Sequence, residues 1–292
     1  MKPAHLLIAC IVFAAPALGA DEKVPWPEHP RPDFMREPWL NLNGKWKFAF
    51  DPDDVGIKEE WFKPGKHRFD REIVVPFAWE SKLSGIGENY VGVGWYAREI
   101  TLPDGERWKG KDAWLIVGAC DFTAKVWVNG QDAGEFTSGY LPFEANLFAK
   151  PGEKAAIVIR AEDKTDLQQP LGKQHGWYTR TSGIWQTVYL EPRGKRFVRE
   201  FQMRSDPKTG EVRVKMVLSG DPKGATVMVS DQRGAYNGAA YAFSGDPPTA
   251  EAIMRVDEFT PWTPDAPVLH PVFIGVSERI SDREAVFQEV ET

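Results

Sequence analysis

The stretch GWYTRTSGIWQTVYLE, residues 176–191, gathers side chains well suited to grip a polar, ring-shaped ligand. Trp177 and Tyr178 offer flat π-faces, and Arg180 offers a rigid fork of donors. Just upstream, Asp166 and Gln169 supply a carboxylate and an amide, and Tyr90 lies near in motif order. Such a set suits a carbohydrate: aromatic rings stack on the apolar face of a sugar, while the polar groups exchange hydrogen bonds with its hydroxyls. Each residue also has a plainer fate. Trp177 can pack against neighbouring protein, and Arg180 can close an intramolecular ion pair.

Other chemistries find less support. Hydrolysis of a glycosidic bond with retention needs two carboxyl groups about 5 Å apart, one with a raised pKa. Glu162, Asp163 and Asp166 cluster after the apolar run KAAIVIRA, but their turn-forming character predicts a solvated turn. There is no Gly-x-Ser-x-Gly elbow, and Cys120, inside WLIVGACDF, reads as a small buried hydrophobe. Gly85-Ile86-Gly87 and Gly92-Val93-Gly94 lack the strand–helix setting of a phosphate cradle. His29, His67, His175 and His270 are scattered without ligand spacing, so neither metal nor cofactor is expected. The residues imply no self-contained active site.

The elements that must position these groups are strands. GKWKFAFDPDDVG places Trp46, Phe48 and Phe50 on one face and ends in an Asp-Pro-Asp-Asp turn. REIVVPFAWES, GWYAREITLP, DAWLIVGAC, AKVWVNGQDAGEF, KAAIVIRAED and IWQTVYLEP follow, with Asn129-Gly130 a strong type I′ hairpin signal. This succession, with almost no helical pattern, predicts an all-β jelly-roll sandwich over residues 38–193. EPRGKR is a polar, Pro- and Gly-bearing junction. Beyond it, residues 194–292 give six or seven short strands, among them GEVRVKMVLSG with Val212, Val214, Met216 and Leu218 alternating. An immunoglobulin-like β-sandwich without a disulfide fits that pattern.

Residues 1–20 carry a Lys-bearing start, the apolar run Leu6–Ala15 and a small-residue end, so a signal peptide cleaved near Ala20 is expected. The chain is then secreted or periplasmic, and lipid anchoring at Cys10 is not expected. Residues 21–37, rich in Pro and charge, should run as an extended segment over the surface. A formal net charge of −6 argues against a nucleic-acid partner, and no run is long enough for a membrane span. The 12 Trp and 17 Phe suit sugar stacking, but core packing of β-sheets accounts for most of them.

Taken together, PWLNLNGKWKFAFDP (38–52), IVVPFAWESKLSGIG (73–87), GWYAREITLP (94–103), GACDFTAKVWVNGQDAGEFTSGYLPFEANL (118–147) and QPLGKQHGWYTRTSGIWQTVYLEP (169–192) resemble glycoside hydrolase family 2. The resemblance is to its sugar-binding jelly roll, and DEFTPWTPDAPVLHPVFIGV (257–276) is similar to the end of its sandwich domain. It implies carbohydrate metabolism on β-linked sugars, with catalysis by two Glu residues on a (β/α)₈ barrel. No Asn-Glu dipeptide of that kind occurs here, so the catalytic pair is expected to be absent. The chain then reads as the noncatalytic half of such an enzyme, as a stand-alone carbohydrate-binding module, or as a module docking a separate catalytic barrel chain. By the same resemblance, Glu80 and Asp121 fall at positions used for structural hydrogen bonding. Where the family commonly places a sugar-reaching carboxylate, about six residues before Gly183, this sequence has Trp177.

Overall fold

A computed structural model describes residues 23–165, 169, 176–231, 241–281 and 284–291, with side chains up to residue 277. Strands from Leu40 to Arg193 form two facing antiparallel sheets. The larger has the order Arg71–Val75, Gly44–Phe50, Gly92–Thr101, Lys154–Asp163, Thr123–Val128, Gln131–Thr137. The smaller has the order Leu40–Asn41, Val188–Arg193, Asp112–Val117, Phe143–Asn146. A two-stranded ribbon, Gly183–Ile184 against Cys120–Asp121, lies at one end. The hairpin at Asn129-Gly130 has φ of 52° and 81°, the two left-handed residues that a type I′ turn requires. The sole helical element among the described residues is a single 3₁₀ turn, Lys82–Ser84.

Strand periodicity builds the core. Trp46, Phe48, Ile73, Val75, Val126, Ile157, Ile159, Leu115, Val117 and Leu190 meet between the two sheets, all essentially inaccessible to solvent. The opposite face of the large sheet is buried as well. Residues 51–70 fold back over it, laying Trp61, Phe62 and Phe69 on Trp95, Trp127 and Val158. Trp95 stacks on Trp127 with centroids 5.3 Å apart, and Phe62 stacks on Trp127 at 4.9 Å. A sheet covered on both faces needs large apolar side chains on both, and six of the twelve tryptophans, Trp46, Trp61, Trp79, Trp95, Trp108 and Trp127, lie there.

Strands from Phe197 onward form a second sandwich. Phe197–Asp206, Glu211–Ser219 and Thr249–Arg255 face Tyr241–Ala242, Thr226–Ser230, Phe273–Ser281 and Glu284–Glu291. Its core includes Val214, Met216, Val227, Ala252 and Ile274. The architecture is all-β, a jelly roll followed by an immunoglobulin-like sandwich. Phe34, from the segment read as a surface tether, is buried in this second core, and Arg36 is buried beside it. That segment straps the two sandwiches together because an apolar ring and a guanidinium find partners at the seam.

Candidate sugar-binding site

The site is organised by the turn into the ribbon. Gly183 has φ of 75°, and a Cβ there would fall 2.1 Å from the Tyr96 hydroxyl and 2.8 Å from the Trp79 ring. Both of those side chains are fully buried, and Tyr96 Oη accepts the Ile184 N–H at 3.2 Å. Only glycine fits this close approach. The Gly183→Ala chain should lose about 1–3 kcal/mol in chemical denaturation, because neither ring can yield.

Just before the turn, Ser182 is buried among carboxylates. Its Oγ lies 2.5 Å from Glu80 Oε1 and 2.5 Å from Asp163 Oδ2, and its N–H donates to Glu80 Oε2 at 3.1 Å. Arg180 donates through Nη2 to Asp163 Oδ1 and to the Lys164 carbonyl (3.0 Å), and through Nη1 to Thr165 Oγ1 (2.9 Å). The Gln169 amide, with its nitrogen donating, reaches the same Asp163 Oδ1 at 3.2 Å and the Lys164 carbonyl at 2.6 Å. Asp163 is therefore the hub of the site, and it is buried rather than solvated. Strand period explains the correction: residues 157, 159, 161 and 163 share the inward face of one strand, so Asp163 follows Ile157, Ile159 and Ala161 into the interior. Glu162 points the other way and pairs with Arg160 and Lys164, both at 2.5 Å.

Burial raises the Glu80 carboxyl above its ordinary range, and Asp163 adds to the shift. Burial likewise pushes Asp121 up to about 7, reinforced by Asp163 and opposed by Arg180. The neighbouring Cys120 thiol is driven up by burial, which makes it inert as a nucleophile. Among the described residues, no group of three or more His, Cys, Asp or Glu is placed to hold a metal.

The clamped loop ends in solvent. Trp177 is 83% exposed and Tyr178 is 62% exposed. Tyr140, 58% exposed, emerges beside the same ribbon and meets Trp185 edge-on at 5.8 Å, while Trp185 Nε1 donates to the Gly139 carbonyl at 2.8 Å. Tyr90 is engaged elsewhere. Its ring lies 4.0 Å from that of Phe50, and its hydroxyl accepts the Val93 N–H at 3.4 Å. Asp166 lies outside the described residues. The structure thus brings Arg180 and Gln169 together on Asp163, leaves Trp177 and Tyr178 exposed, and keeps Tyr90 in packing. Sequence reasoning missed Ser182 as the bridge between two acids; its place immediately before the obligatory glycine was the available signal.

The fold is thus a jelly roll with exposed aromatic rings at one end, followed by a second β-sandwich. Residues 40–192 match the profile described as "Glycosyl hydrolases family 2, sugar binding domain", and the chain belongs to that family. A β-glucuronidase of Paenibacillus borealis is 25% identical over 234 residues, covering 66% of this chain and 38% of the relative. A β-glucuronidase of Felis catus is 32% identical over 130 residues, covering 41% and 19% respectively. The β-glucuronidase from Ruminococcus gnavus in complex with D-glucuronic acid shares the fold, with TM-score 0.61 at 22% identity. That match covers 87% of this chain and 44% of the other. The chain spans less than half the length of these relatives and corresponds to their N-terminal, sugar-binding part. No helix among the described residues is long and apolar enough to cross a membrane.

Proposed function

We propose that this chain is the noncatalytic, sugar-binding part of an exported family 2 glycoside hydrolase acting on a β-linked sugar, with Trp177 and Tyr178 meeting the sugar. The carrying observation is that two large aromatic side chains stand in solvent on a loop whose base is anchored by buried ionic hydrogen bonds. An exposed ring on a braced loop loses little conformational entropy when it stacks on a ligand. Catalysis falls to a barrel bearing the Glu pair, outside the residues of this sequence. The apolar run Leu6–Ala15 supports export across a membrane, to the periplasm or the exterior. Because the relatives named above are β-glucuronidases, a β-glucuronide is the first ligand to test.

The test is titration of the chain with a β-glucuronide and a panel of β-linked oligosaccharides, followed by tryptophan fluorescence. Saturable quenching is expected, and Trp177→Ala should abolish it while changing stability by no more than about 0.5 kcal/mol, as for any exposed side chain. A flat response across the whole panel would remove the reading.

A further inference from the structure

The end of the jelly roll holds one carboxyl that its neighbours leave open. Of the three acids gathered there, Glu80 is bonded to Ser182, and Asp163 is bonded to Ser182, Arg180 and Gln169. Asp121, half-buried on the ribbon strand paired with Gly183–Ile184, accepts no hydrogen bond from any described residue. What lies against it is Gly139, and the missing side chain matters. A Cβ there would fall 2.8 Å from Asp121 Oδ1, 3.0 Å from Cγ and 3.2 Å from Oδ2. A larger residue at 139 would press on the carboxylate and cover it.

The same glycine supports an aromatic platform. Its carbonyl accepts the Trp185 Nε1–H at 2.8 Å, and the Trp185 ring meets Tyr140 edge-on at 5.8 Å. Backbone bonds fix the platform in place. Ser138 N–H donates to the Phe122 carbonyl at 3.1 Å, Leu141 N–H to Ser138 Oγ at 3.2 Å, and Trp185 N–H to the Ala119 carbonyl at 3.2 Å. Tyr140 nevertheless leaves 58% of its surface in water, so core packing does not account for it. A fixed, exposed ring beside an unpartnered carboxylate offers a stacking face and a hydroxyl acceptor together, the two groups a pyranose engages. A ring already held in place loses little freedom on stacking.

Charge narrows the ligand. Among the described residues, the cation facing Asp121 is Arg180, and it is committed to Asp163, the Lys164 carbonyl and Thr165 Oγ1. The other charged groups around Asp121 are themselves acids, Asp163 and Glu80. An entering carboxylate would meet an acid with no free countercharge among these residues, whereas an uncharged hydroxyl would find an acceptor. We propose that Asp121, Tyr140 and Trp185 form a sugar subsite that takes a neutral β-linked pyranose and disfavours a uronic acid. Tyr140 stacks on the ring, and Asp121 accepts from a hydroxyl. The subsite rests on the sugar-binding reading given above, uses residues that reading does not invoke, and narrows its ligand from a glucuronide to an uncharged glycoside.

The experiment labels the full chain with 5-fluorotryptophan and follows the Trp185 ¹⁹F resonance, assigned by Trp185→Phe, at pH 8. Burial lifts the Asp121 carboxyl to about 7, so the acid is charged under these conditions. The titrants are methyl β-D-glucoside, methyl β-D-galactoside and methyl β-D-glucuronide. A saturable shift is expected with a neutral glycoside, at a Kd about tenfold below that of the glucuronide. Tyr140→Ala, at an exposed position, should abolish the shift. Asp121→Asn, which keeps an acceptor and removes the charge, should bring the glucuronide within about threefold of the neutral sugar. Binding that Tyr140→Ala leaves unchanged, or a glucuronide bound by the parent as tightly as the neutral sugars, overturns the subsite. Binding lost in Tyr140→Ala but kept in Trp177→Ala removes Trp177 from the sugar and leaves the subsite standing; binding lost only in Trp177→Ala does the reverse. No shift with any of the three glycosides overturns both.

Discussion

Glu191→Ala should lower the stability of the chain by about 3–5 kcal/mol, measured by chemical denaturation at neutral pH. Glu191 is almost completely buried at the seam between the sandwiches. Its Oε1 accepts from Arg36 Nη1 at 2.7 Å and from Arg193 Nε at 2.6 Å. Arg36 also donates to the Val198 carbonyl on the second sandwich and lies 4.5 Å from the Phe34 ring. Arg193 is held by Glu144 through two further bonds, at 2.5 and 2.6 Å, and lies 4.9 Å from the Phe197 ring. Burial presses the Arg36 guanidinium downward in pKa, so Glu191 is what lets it stay charged indoors. Removing one carboxylate leaves two buried guanidinium groups with one remaining acidic partner, Glu144, bonded to only one of them. The companion variant Arg36→Met/Glu191→Met should recover most of the loss, because an apolar pair of similar volume needs no countercharge. A single-variant loss below about 1 kcal/mol would mean that the seam is wetter than its geometry implies.

The second large effect is expected at Trp95. Trp95→Ala should cost about 3–5 kcal/mol by the same measurement, the usual range for emptying a buried aromatic site. The ring is fully buried, stacked on Trp127 and tilted against Trp61 at 5.8 Å. It is also tethered at its polar end, with Nε1 donating to Asp51 Oδ2 at 3.0 Å. Asp51 in turn accepts the N–H groups of Val55 and Gly56 at 2.9 and 2.8 Å, fixing the start of the 51–70 excursion. The excursion cannot collapse into the vacated space, since Gly56 already touches the indole so closely that a Cβ there would lie 2.7 Å away. Trp95→Phe separates the two contributions: most of the apolar area stays, one buried acceptor loses a donor, and the loss should shrink to about 1–2 kcal/mol. Comparison with Trp177→Ala, near neutral for stability, makes the point that tryptophans in this chain divide by burial and not by type.

The stretch at residues 176–191 shows where sequence reasoning reaches its limit. Ser182-Gly183 reads as a turn and Ile184 onward as strand, and the structure has a ribbon pair at Gly183–Ile184 and a strand at Val188–Arg193. Arg180 is legible as a candidate for an ion pair, but its partner is 17 residues away across a fold. Glu80 is about 100 residues away and reaches the same hydroxyl. No local pattern encodes such a meeting, because the carboxylates come from three separate strands or turns that only sheet pairing brings to one end.

By itself, the sequence determined the β-class, the register of apolar faces, the Asn129-Gly130 hairpin and the family. These depend on alternation and turn chemistry, which are local properties of a chain. Tertiary structure decided which residues those alternating faces would meet. It buried Asp163 at the end of an apolar face, set Glu191 between two arginines at the seam, covered the second face of the large sheet with residues 51–70, and left Trp177 and Tyr178 in solvent. The physical reason is the same in each case: burial and charge pairing act between side chains distant in sequence, and their energies exist only once the sheets have closed.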